Sequence, residues 1–281
     1  MSKQVEKRIE NFVANIKGGT DVDGVKMAKL EVKFLRSKYK ISTVQTKLTF
    51  YRKAVYGIET SKKDFSRTIK ALRILKNESK AIKNQYERKL LKQSKKRVQI
   101  RNVEKMIQIS LSLLDSSKYS DIVSALCLLT GRRMTEILKT AKFTNSRNSQ
   151  KVAYFKGQLK TKNTNAKYQI YMLENSRDLC KVALKKVRKM VDASTLSNNE
   201  TARKFETTIN ASCRLWFSSF IGKKDIDFCT CHDLRNIYAL YCCEHYKSDE
   251  QTDSSFIAEI LGHDTDALKT AQSYQKFYLK K

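Results

Sequence analysis

The chain has 281 residues, enough for two domains with buried cores, and it carries 57 Lys and Arg against 28 Asp and Glu. Its net charge of +29 exceeds what a mixed, solvated surface requires and predicts a polyanionic partner, with DNA as the first candidate. No apolar run approaches the roughly 20 residues of a membrane-spanning helix. The N-terminal residues lack the pattern of a secretion signal, so we expect an intracellular protein without a membrane partner.

Helices are predicted throughout the first sixty residues. The first has one apolar face and ends at Gly18-Gly19, and a second runs from Asp21 to about Tyr39. Ser42-Thr43-Val44-Gln45 resembles a capping box and predicts the start of a third helix. The apolar positions are Val5, Ile9, Phe12, Val13 and Ile16 in the first helix and Leu48, Tyr51, Ala54 and Val55 in the third.

The stretch from Lys62 to about Arg101 is densely basic and has few apolar positions. The first hundred residues hold 27 Lys and Arg against 9 Asp and Glu, so most of the excess charge lies there. Residues 92–97 are predicted to form a linker, and we favour a basic strap across a DNA backbone over a merely solvated surface. We therefore place a basic helical DNA-binding domain with its linker at residues 1–104 and a second domain at 105–281.

The second domain is predicted to be helical around a short β-hairpin. Helices are expected at 106–114, at 121–129 where the run ends at Gly131, and from Ser176 onward. Residues 152–155 and 168–172 have the β-branched and aromatic composition of strands, with a polar turn at 160–167. Proline is absent from the chain, which suits a largely helical fold. The predicted fold class is mainly α with a small β-hairpin or sheet.

Four short elements in the second domain carry the chemistry. Two arginines can neutralise a phosphate with fixed, permanently charged geometry, and two histidines can hydrogen-bond it or move a proton. A tyrosine can attack phosphorus and hold a DNA strand as a covalent ester, which conserves the bond energy for rejoining. The elements are Thr130-Gly131-Arg132-Arg133-Met134-Thr135-Glu136, His232-Asp233-Leu234-Arg235, Leu261-Gly262-His263 and Tyr274.

This order of motifs resembles the tyrosine recombinases, the phage integrase family. Its T-G-x-R-x-x-E motif places the first catalytic arginine at Arg133, H-x-x-R matches His232 and Arg235, and L-G-H matches His263. The resemblance implies a two-domain architecture, a helical DNA-binding domain followed by a mixed α+β catalytic domain. It also implies attack by Tyr274 to give a 3′-phosphotyrosine and a free 5′-hydroxyl, without a metal, ATP or another cofactor.

A further segment resembles the telomere resolvases, or protelomerases, within that family. It comprises Phe155-Lys156-Gly157-Gln158-Leu159-Lys160-Thr161 and, after a gap, Tyr168-Gln169-Ile170. The resemblance implies an enzyme that cleaves double-stranded DNA at an inverted repeat and rejoins it into hairpin ends, acting as a homodimer on DNA. The expected location is the cytoplasm or nucleoid of a prokaryote, or a site of viral DNA replication. The alternatives are an integrase that exchanges strands between duplexes and a non-catalytic DNA-binding protein of the same fold.

Three role assignments have alternatives. The resemblance implies that Lys160 is the hairpin lysine that protonates the leaving oxygen, and Lys162 is its rival because a two-residue shift keeps the same strand face. Tyr278 is the alternative nucleophile, since a spacing of four would place it on the same helical face as Tyr274. Glu136 is predicted either to orient Arg133 as an outer partner or to be an ordinary acid at a helix start.

The cysteines and their neighbouring histidines raise the question of zinc. Cys229 and Cys231 have the spacing C-x-C, and Cys242 and Cys243 are adjacent, neither of which is the usual zinc-ligand spacing. His232 belongs to the H-x-x-R motif, and His245 completes the set. We therefore expect free thiols and no metal site.

Overall fold

The computed structural model describes residues 3–58, 64–95, 97–146, 149, 151–159, 167–222, 229–262, 274 and 276–279. The chain forms two compact units, Met1–Lys89 and Leu90–Lys281. The sequence placed its domain boundary after residue 104, somewhat later in the chain. The described residues are mostly helical with two small sheets, which confirms the predicted fold class.

The first unit is built from helices alone in its described residues. Their apolar faces form one core, and the apolar face predicted for the first helix is confirmed because Val5, Ile9, Phe12 and Ile16 are all buried. Beside this core, the Tyr51 hydroxyl donates to Glu31 at 2.6 Å. The helices are α1 (Lys3–Lys17), α2 (Asp21–Lys38), α3 (Ile41–Tyr56), α4 (Ser66–Ala71) and α5 (Lys76–Lys95).

The capping box of this unit lies at α2 and not at α3. Thr20 and Asp23 exchange side-chain and backbone hydrogen bonds at the start of α2. At α3 the N-cap residue is Lys40, which makes no side-chain capping bond, so the prediction at Ser42 is wrong. Ile41 packs against the core, and this burial outweighs a cap worth about 1 kcal/mol.

Residues 92–95 of the predicted linker form the last turn of α5. Lys, Gln and Ser can propagate a helix once it has started, and no Gly or Pro interrupts the run. Between residues 76 and 92, α5 contains no buried residue. Its apolar residues Ile82, Tyr86, Leu90 and Leu91 are at most partly buried, so this part of α5 is not a core element.

The second unit surrounds the apolar helix α7 with other helices and strands. Every residue of α7 from Ser120 to Thr130 is buried, so this helix is the centre of the unit's core. Among the described residues, no helix combines the length and apolar character needed to cross a membrane. The helices are α6 (Val103–Leu113), α7 (Tyr119–Thr130), α8 (Arg177–Met190), α9 (Asn198–Phe217), α10 (Cys231–Tyr246) and α11 (Asp253–Leu261).

Gly131 ends α7 in a left-handed conformation, with φ of 65°. A Cβ atom at this position would lie 2.2 Å from Cδ1 of Tyr238, which is itself buried. Glycine is therefore required both for the backbone angle and for the close packing against α10. The turn sends the chain directly into Arg132 and Arg133, and a π-helical turn, Glu136–Thr140, follows.

A three-stranded antiparallel sheet packs against this core. Its order is β2 (Lys142–Asn145), β3 (Val152–Lys156) and β4 (Lys167–Tyr171), with Phe155 opposite both Phe143 and Tyr168. The two predicted strands are confirmed as β3 and β4, and the sequence analysis missed β2. Residues 160–166, in the predicted turn between β3 and β4, lie outside the described residues.

The end of the chain forms a strand where the sequence predicted helix. Strand β5 follows at Phe277–Leu279, in parallel pairing with β1 at Val98–Ile100, so the helical prediction from Ser176 onward fails there. Tyr278 therefore does not share a helical face with Tyr274. A three-residue strand bonded to a partner far away in the chain has no local periodicity that a sequence analysis could detect.

We predict that Gly131→Ala destabilises the second unit, because the new Cβ would require a left-handed alanine and displacement of Tyr238. The left-handed conformation alone costs about 1–2 kcal/mol, so the free energy of unfolding in urea should fall by at least that amount. Gly18→Ala is the control, since nothing lies within 4 Å of a Cβ built there. An unchanged unfolding midpoint for Gly131→Ala would contradict this packing.

Candidate active site

Three predicted catalytic side chains line one cleft of about 230 Å³. Arg133 enters it from the turn after α7, and His232 and Arg235 enter it from the first two turns of α10. The cleft therefore joins two motifs that are far apart in the sequence. Its other lining residues are Met134, Thr135, Glu206, Asn210, Thr230 and Cys231.

Arg133 is held by the buried carboxylate of Glu136. One oxygen of Glu136 accepts from Nη1 of Arg133 at 2.6 Å, and the other accepts from the Arg133 main-chain N–H at 2.9 Å. Nη1 also donates to the carbonyl of Leu159 at 3.2 Å. The side chain of Arg133 remains 22% exposed. Its guanidinium is therefore held by Glu136 on its buried side and faces the cleft on the other.

Glu136 is ionised although it is buried. Burial by itself raises the pKa of this carboxyl, but Arg235, Arg132 and Arg133 more than offset it, and the pKa lies below its ordinary value. The main-chain N–H of Leu159, just after β3, also donates to it at 3.1 Å. One carboxylate thus fixes both the first arginine motif and the start of the segment after β3.

Arg235 lies between the cleft and the predicted nucleophile. It is fully buried, and its Nε lies 3.3 Å from the hydroxyl of Tyr274. Its other nitrogens donate to the carbonyls of Gly131 and Leu261, the latter at 3.2 Å. Tyr274 is also buried, at 4% exposure. A single guanidinium therefore contacts the end of α7, the end of α11 and the phenol.

His232 lies at the edge of the same cleft, and its side chain is exposed. Its ring centroid lies 5.5 Å from that of Tyr274. Its surroundings lower its pKa, first through partial desolvation in the cleft and then through Arg235, while Asp233 acts in the opposite direction. A neutral imidazole beside a phenol can accept a hydrogen bond or a proton.

Arg132, directly before Arg133, has a different role from its neighbour. It is fully buried and donates to the carbonyls of Thr130 and Ile260 and to the hydroxyl of Tyr168, with 2.8 Å to Ile260. It therefore joins α7, β4 and α11 from inside. The sequence analysis treated it only as the variable position of the motif, although an arginine that follows a helix rich in apolar residues was a usable signal.

Gly157 and Gln158 connect the segment after β3 to the third motif. Gln158 is buried, and its Nε2 donates to the carbonyl of Gly262. Gly262 has φ of 66°, and a Cβ there would lie 2.0 Å from Oε1 of Gln158. Gly157 has φ of 101° and no room for a Cβ beside the carbonyl of Thr140. Packing therefore explains why Gly157 and Gln158 occupy these positions, in addition to their resemblance to the telomere resolvase segment.

Three of the predicted site residues, Lys160, Lys162 and His263, lie outside the described residues. Tyr278, the alternative nucleophile, lies on β5 with 38% of its surface exposed. Its ring is 6.0 Å from the guanidinium carbon of Arg97. The structure thus brings Tyr274, and not Tyr278, to Arg235.

The cysteines are all free thiols, and Cys127, Cys180, Cys213, Cys229 and Cys242 are buried. Within the described part of the chain, no group of three or more His, Cys, Asp or Glu side chains is arranged to hold a metal ion.

The cleft brings Arg133, His232 and Arg235 together, and Tyr274 lies beside Arg235. A family model described as the telomere resolvase ResT/TelK catalytic domain matches residues 96–277. The chain therefore belongs to the telomere resolvases, which are DNA breaking and rejoining enzymes. No curated protein sequence matches the chain.

Solved protelomerase structures share the fold. Protelomerase TelA covalently complexed with substrate DNA is 22% identical with a TM-score of 0.86, covering 99% of this chain and 89% of that one. A TelA variant complexed with DNA hairpin product is 21% identical with the same TM-score and coverage. Protelomerase TelK complexed with substrate DNA is 19% identical with a TM-score of 0.59, covering 99% of this chain and 58% of that one.

We predict that Arg132→Met destabilises the protein, because it leaves buried oxygens of Thr130, Tyr168 and Ile260 without their donor. Each unsatisfied buried acceptor costs about 1–3 kcal/mol, so the free energy of unfolding in urea should fall by at least about 2 kcal/mol. Arg101→Met is the control at an exposed arginine of the same unit, and its effect should stay within about 0.5 kcal/mol. Equal stability of the two variants would show that Arg132 does not join these elements.

Proposed function

We propose that the cleft between Arg133, His232 and Arg235 binds the scissile phosphate of an inverted-repeat DNA and that Tyr274 is the nucleophile. The product of the complete reaction is a pair of covalently closed hairpin ends. The observation that carries this proposal is the contact of 3.3 Å between the Tyr274 hydroxyl and Arg235. The same arginine lines the cleft with Arg133, so one guanidinium can contact both the attacking oxygen and the phosphate.

The charges around the cleft suit a phosphoryl transfer that proceeds through a crowded, more negative transition state. Arg133 and Arg235 would each contact non-bridging oxygens, and preorganised donors of this kind lower the barrier because they need no rearrangement during the reaction. The buried carboxylate of Glu136 supports this role, since it fixes Arg133 without occupying the exposed side of its guanidinium.

The covalent step exchanges one phosphoester for another. The phenolic oxygen of Tyr274 bonds to phosphorus, the bond from phosphorus to the 5′-oxygen breaks, and a 3′-phosphotyrosine remains. His232 would accept the phenolic proton, and its lowered pKa and the 5.5 Å between its ring and that of Tyr274 support this role. From the resemblance, Lys160 or its rival Lys162 would protonate the leaving 5′-oxygen, and His263 would hydrogen-bond the phosphate.

The first unit is our proposed source of most of the DNA affinity. Its excess of Lys and Arg supports this role, and so does α5, on which basic side chains are exposed on all sides. Phosphate contacts of this kind bind DNA without reading its sequence. The exposed basic residues of α5 are Lys76, Lys80, Lys83, Arg88, Lys89 and Lys92.

Two protomers are implied by the symmetry of the substrate. An inverted repeat presents the same sequence on both strands, so two copies of one enzyme can each cut one strand. Each free 5′-hydroxyl must then attack the phosphotyrosine on the opposite strand. The DNA must bend or unpair between the cuts, and binding energy has to cover that distortion. A location inside the cell, where telomeric DNA is replicated, remains our prediction.

The test of this function uses a duplex with a central inverted repeat, incubated with the protein alone and then denatured. We expect two products that renature by themselves and resist exonuclease, because each has a closed end. Joined products of two separate duplexes, without closed ends, would instead identify an integrase. Binding without any cleavage would identify a non-catalytic DNA-binding protein.

We predict that Tyr274→Phe binds the inverted-repeat duplex with unchanged affinity but forms no covalent adduct, because only the attacking oxygen is removed. The adduct is measured by denaturing gel electrophoresis and the affinity by fluorescence anisotropy. Tyr278→Phe is the matched control, since it removes a hydroxyl from the same short segment, and it should form the adduct normally. If the two variants behave in the opposite way, Tyr278 is the nucleophile.

A further inference from the structure

Tyr274 and the residues that follow it must be held against α10 for the phenol to reach Arg235. The tyrosine segment, which we define as the described residues 274 and 276–279, is joined by hydrogen bonds to β1 and to the side chain of Arg97. The main-chain N–H of Val98 donates to the carbonyl of Lys276 at 2.9 Å, and Arg97 donates to the carbonyl of Phe277 at 2.7 and 3.0 Å. These contacts fix the segment to a strand, but not to the helix that carries His232 and Arg235.

A side-chain ion pair adds a connection to that helix, beside the Tyr274–Arg235 contact and the packing of β5 against α10. The ammonium of Lys276 lies 2.6 Å from Oδ1 of Asp233, and the two side chains are 22% and 5% exposed. Asp233 occupies the position between His232 and Leu234 in the second motif. The pair therefore joins the residue two places after the nucleophile to the residue two places before Arg235.

The two carboxylate oxygens of Asp233 accept hydrogen bonds from different groups. Oδ2 accepts from the main-chain N–H and the hydroxyl of Thr230, at 3.1 and 2.7 Å, and so caps α10. Oδ1 accepts from Lys276. The position of the helix start and the position of the tyrosine segment are therefore set by the same carboxylate. Because the pair is largely shielded from solvent, it is screened less than a surface ion pair.

We infer that Lys276 is a positioning residue, whose ion pair with Asp233 holds the tyrosine segment so that the Tyr274 phenol stays beside Arg235. This inference rests on the proposed function, because it assumes that Tyr274 attacks the phosphate. Lys276 acts through the position of Tyr274 and need not contact the DNA. A displacement of about 1 Å at a reacting atom can cost on the order of a hundredfold in rate. Loss of this ion pair should therefore slow the covalent step.

The experiment measures the single-turnover rate of adduct formation at saturating DNA, together with DNA affinity and thermal stability. Lys276→Met should slow the adduct rate on the order of tenfold to a hundredfold with unchanged DNA affinity. Lys276→Arg should restore most of the rate, because it keeps the charge. Lys185→Met, at an exposed lysine of α8, is the matched control and should react at the wild-type rate.

A double-mutant cycle separates the ion pair from a general loss of charge. Asp233→Asn keeps an oxygen for capping but loses the ion pair, so it should be slowed as Lys276→Met is. The double variant should be no slower than either single variant, since both remove one interaction. Losses that multiply, a wild-type rate in Lys276→Met, or a loss confined to DNA affinity would each overturn the inference.

Tyr274→Phe is assayed in parallel, so that failure of the inference and failure of the proposed function can be told apart. If the wild type forms an adduct that depends on Tyr274 while Lys276→Met reacts at full rate, only the positioning role is wrong. If the adduct persists in Tyr274→Phe, the proposed function itself is wrong.

Discussion

The arrangement of the second unit depends on the electrostatic attraction between the buried carboxylate of Glu136 and the arginines around it. The carboxylate is surrounded by the positive charges of Arg132, Arg133 and Arg235, which keep it ionised despite complete burial. Burying any of these charges alone would cost several kcal/mol. Together they form a network in which each arginine also reaches a different part of the chain. The unit can bury these groups because Glu136 offsets part of the positive charge and main-chain carbonyls accept the hydrogen bonds of Arg132 and Arg235.

The three arginines of this network have different roles. Arg132 turns inward and holds β4 and α11, whereas Arg133 faces the cleft and is steadied from behind by Glu136. Arg235 combines two roles, since it is buried and holds main-chain carbonyls while its guanidinium also contacts the hydroxyl of Tyr274. Two adjacent arginines in one motif thus have opposite environments, because the turn at Gly131 sends one side chain into the core and the next toward solvent.

The packing around the network also explains the glycines of the site. Gly131, Gly157 and Gly262 all have positive φ, and a Cβ on any of them would overlap a neighbouring atom. They mark the points where α7, β3 and α11 end and the chain turns into the site. Close approach of these three turns permits Arg235 to reach the carbonyls of both Gly131 and Leu261.

Whether a feature could be predicted depended on how far apart in the sequence the residues that determine it lie. Helices α1, α2 and α3, the helices of the second unit and strands β3 and β4 were predictable, because side-chain periodicity and composition act over neighbouring residues. Helices α4 and α5 were not predicted. The start of α3 was mispredicted, since core packing outweighed a local capping signal. Strand β5 was missed because its partner, β1, lies at the other end of the unit.

The sequence by itself determined the helical class of the fold, the basic character of the first unit and the identity of the motif residues, since each depends on composition or on short spacings. Only the tertiary structure decided that Arg132 is structural, that Glu136 holds Arg133, that Tyr274 rather than Tyr278 lies at Arg235, and that Lys276 reaches Asp233. The physical reason is that contacts between residues far apart in the chain are set by the packing of whole helices and strands, which no short stretch of sequence records.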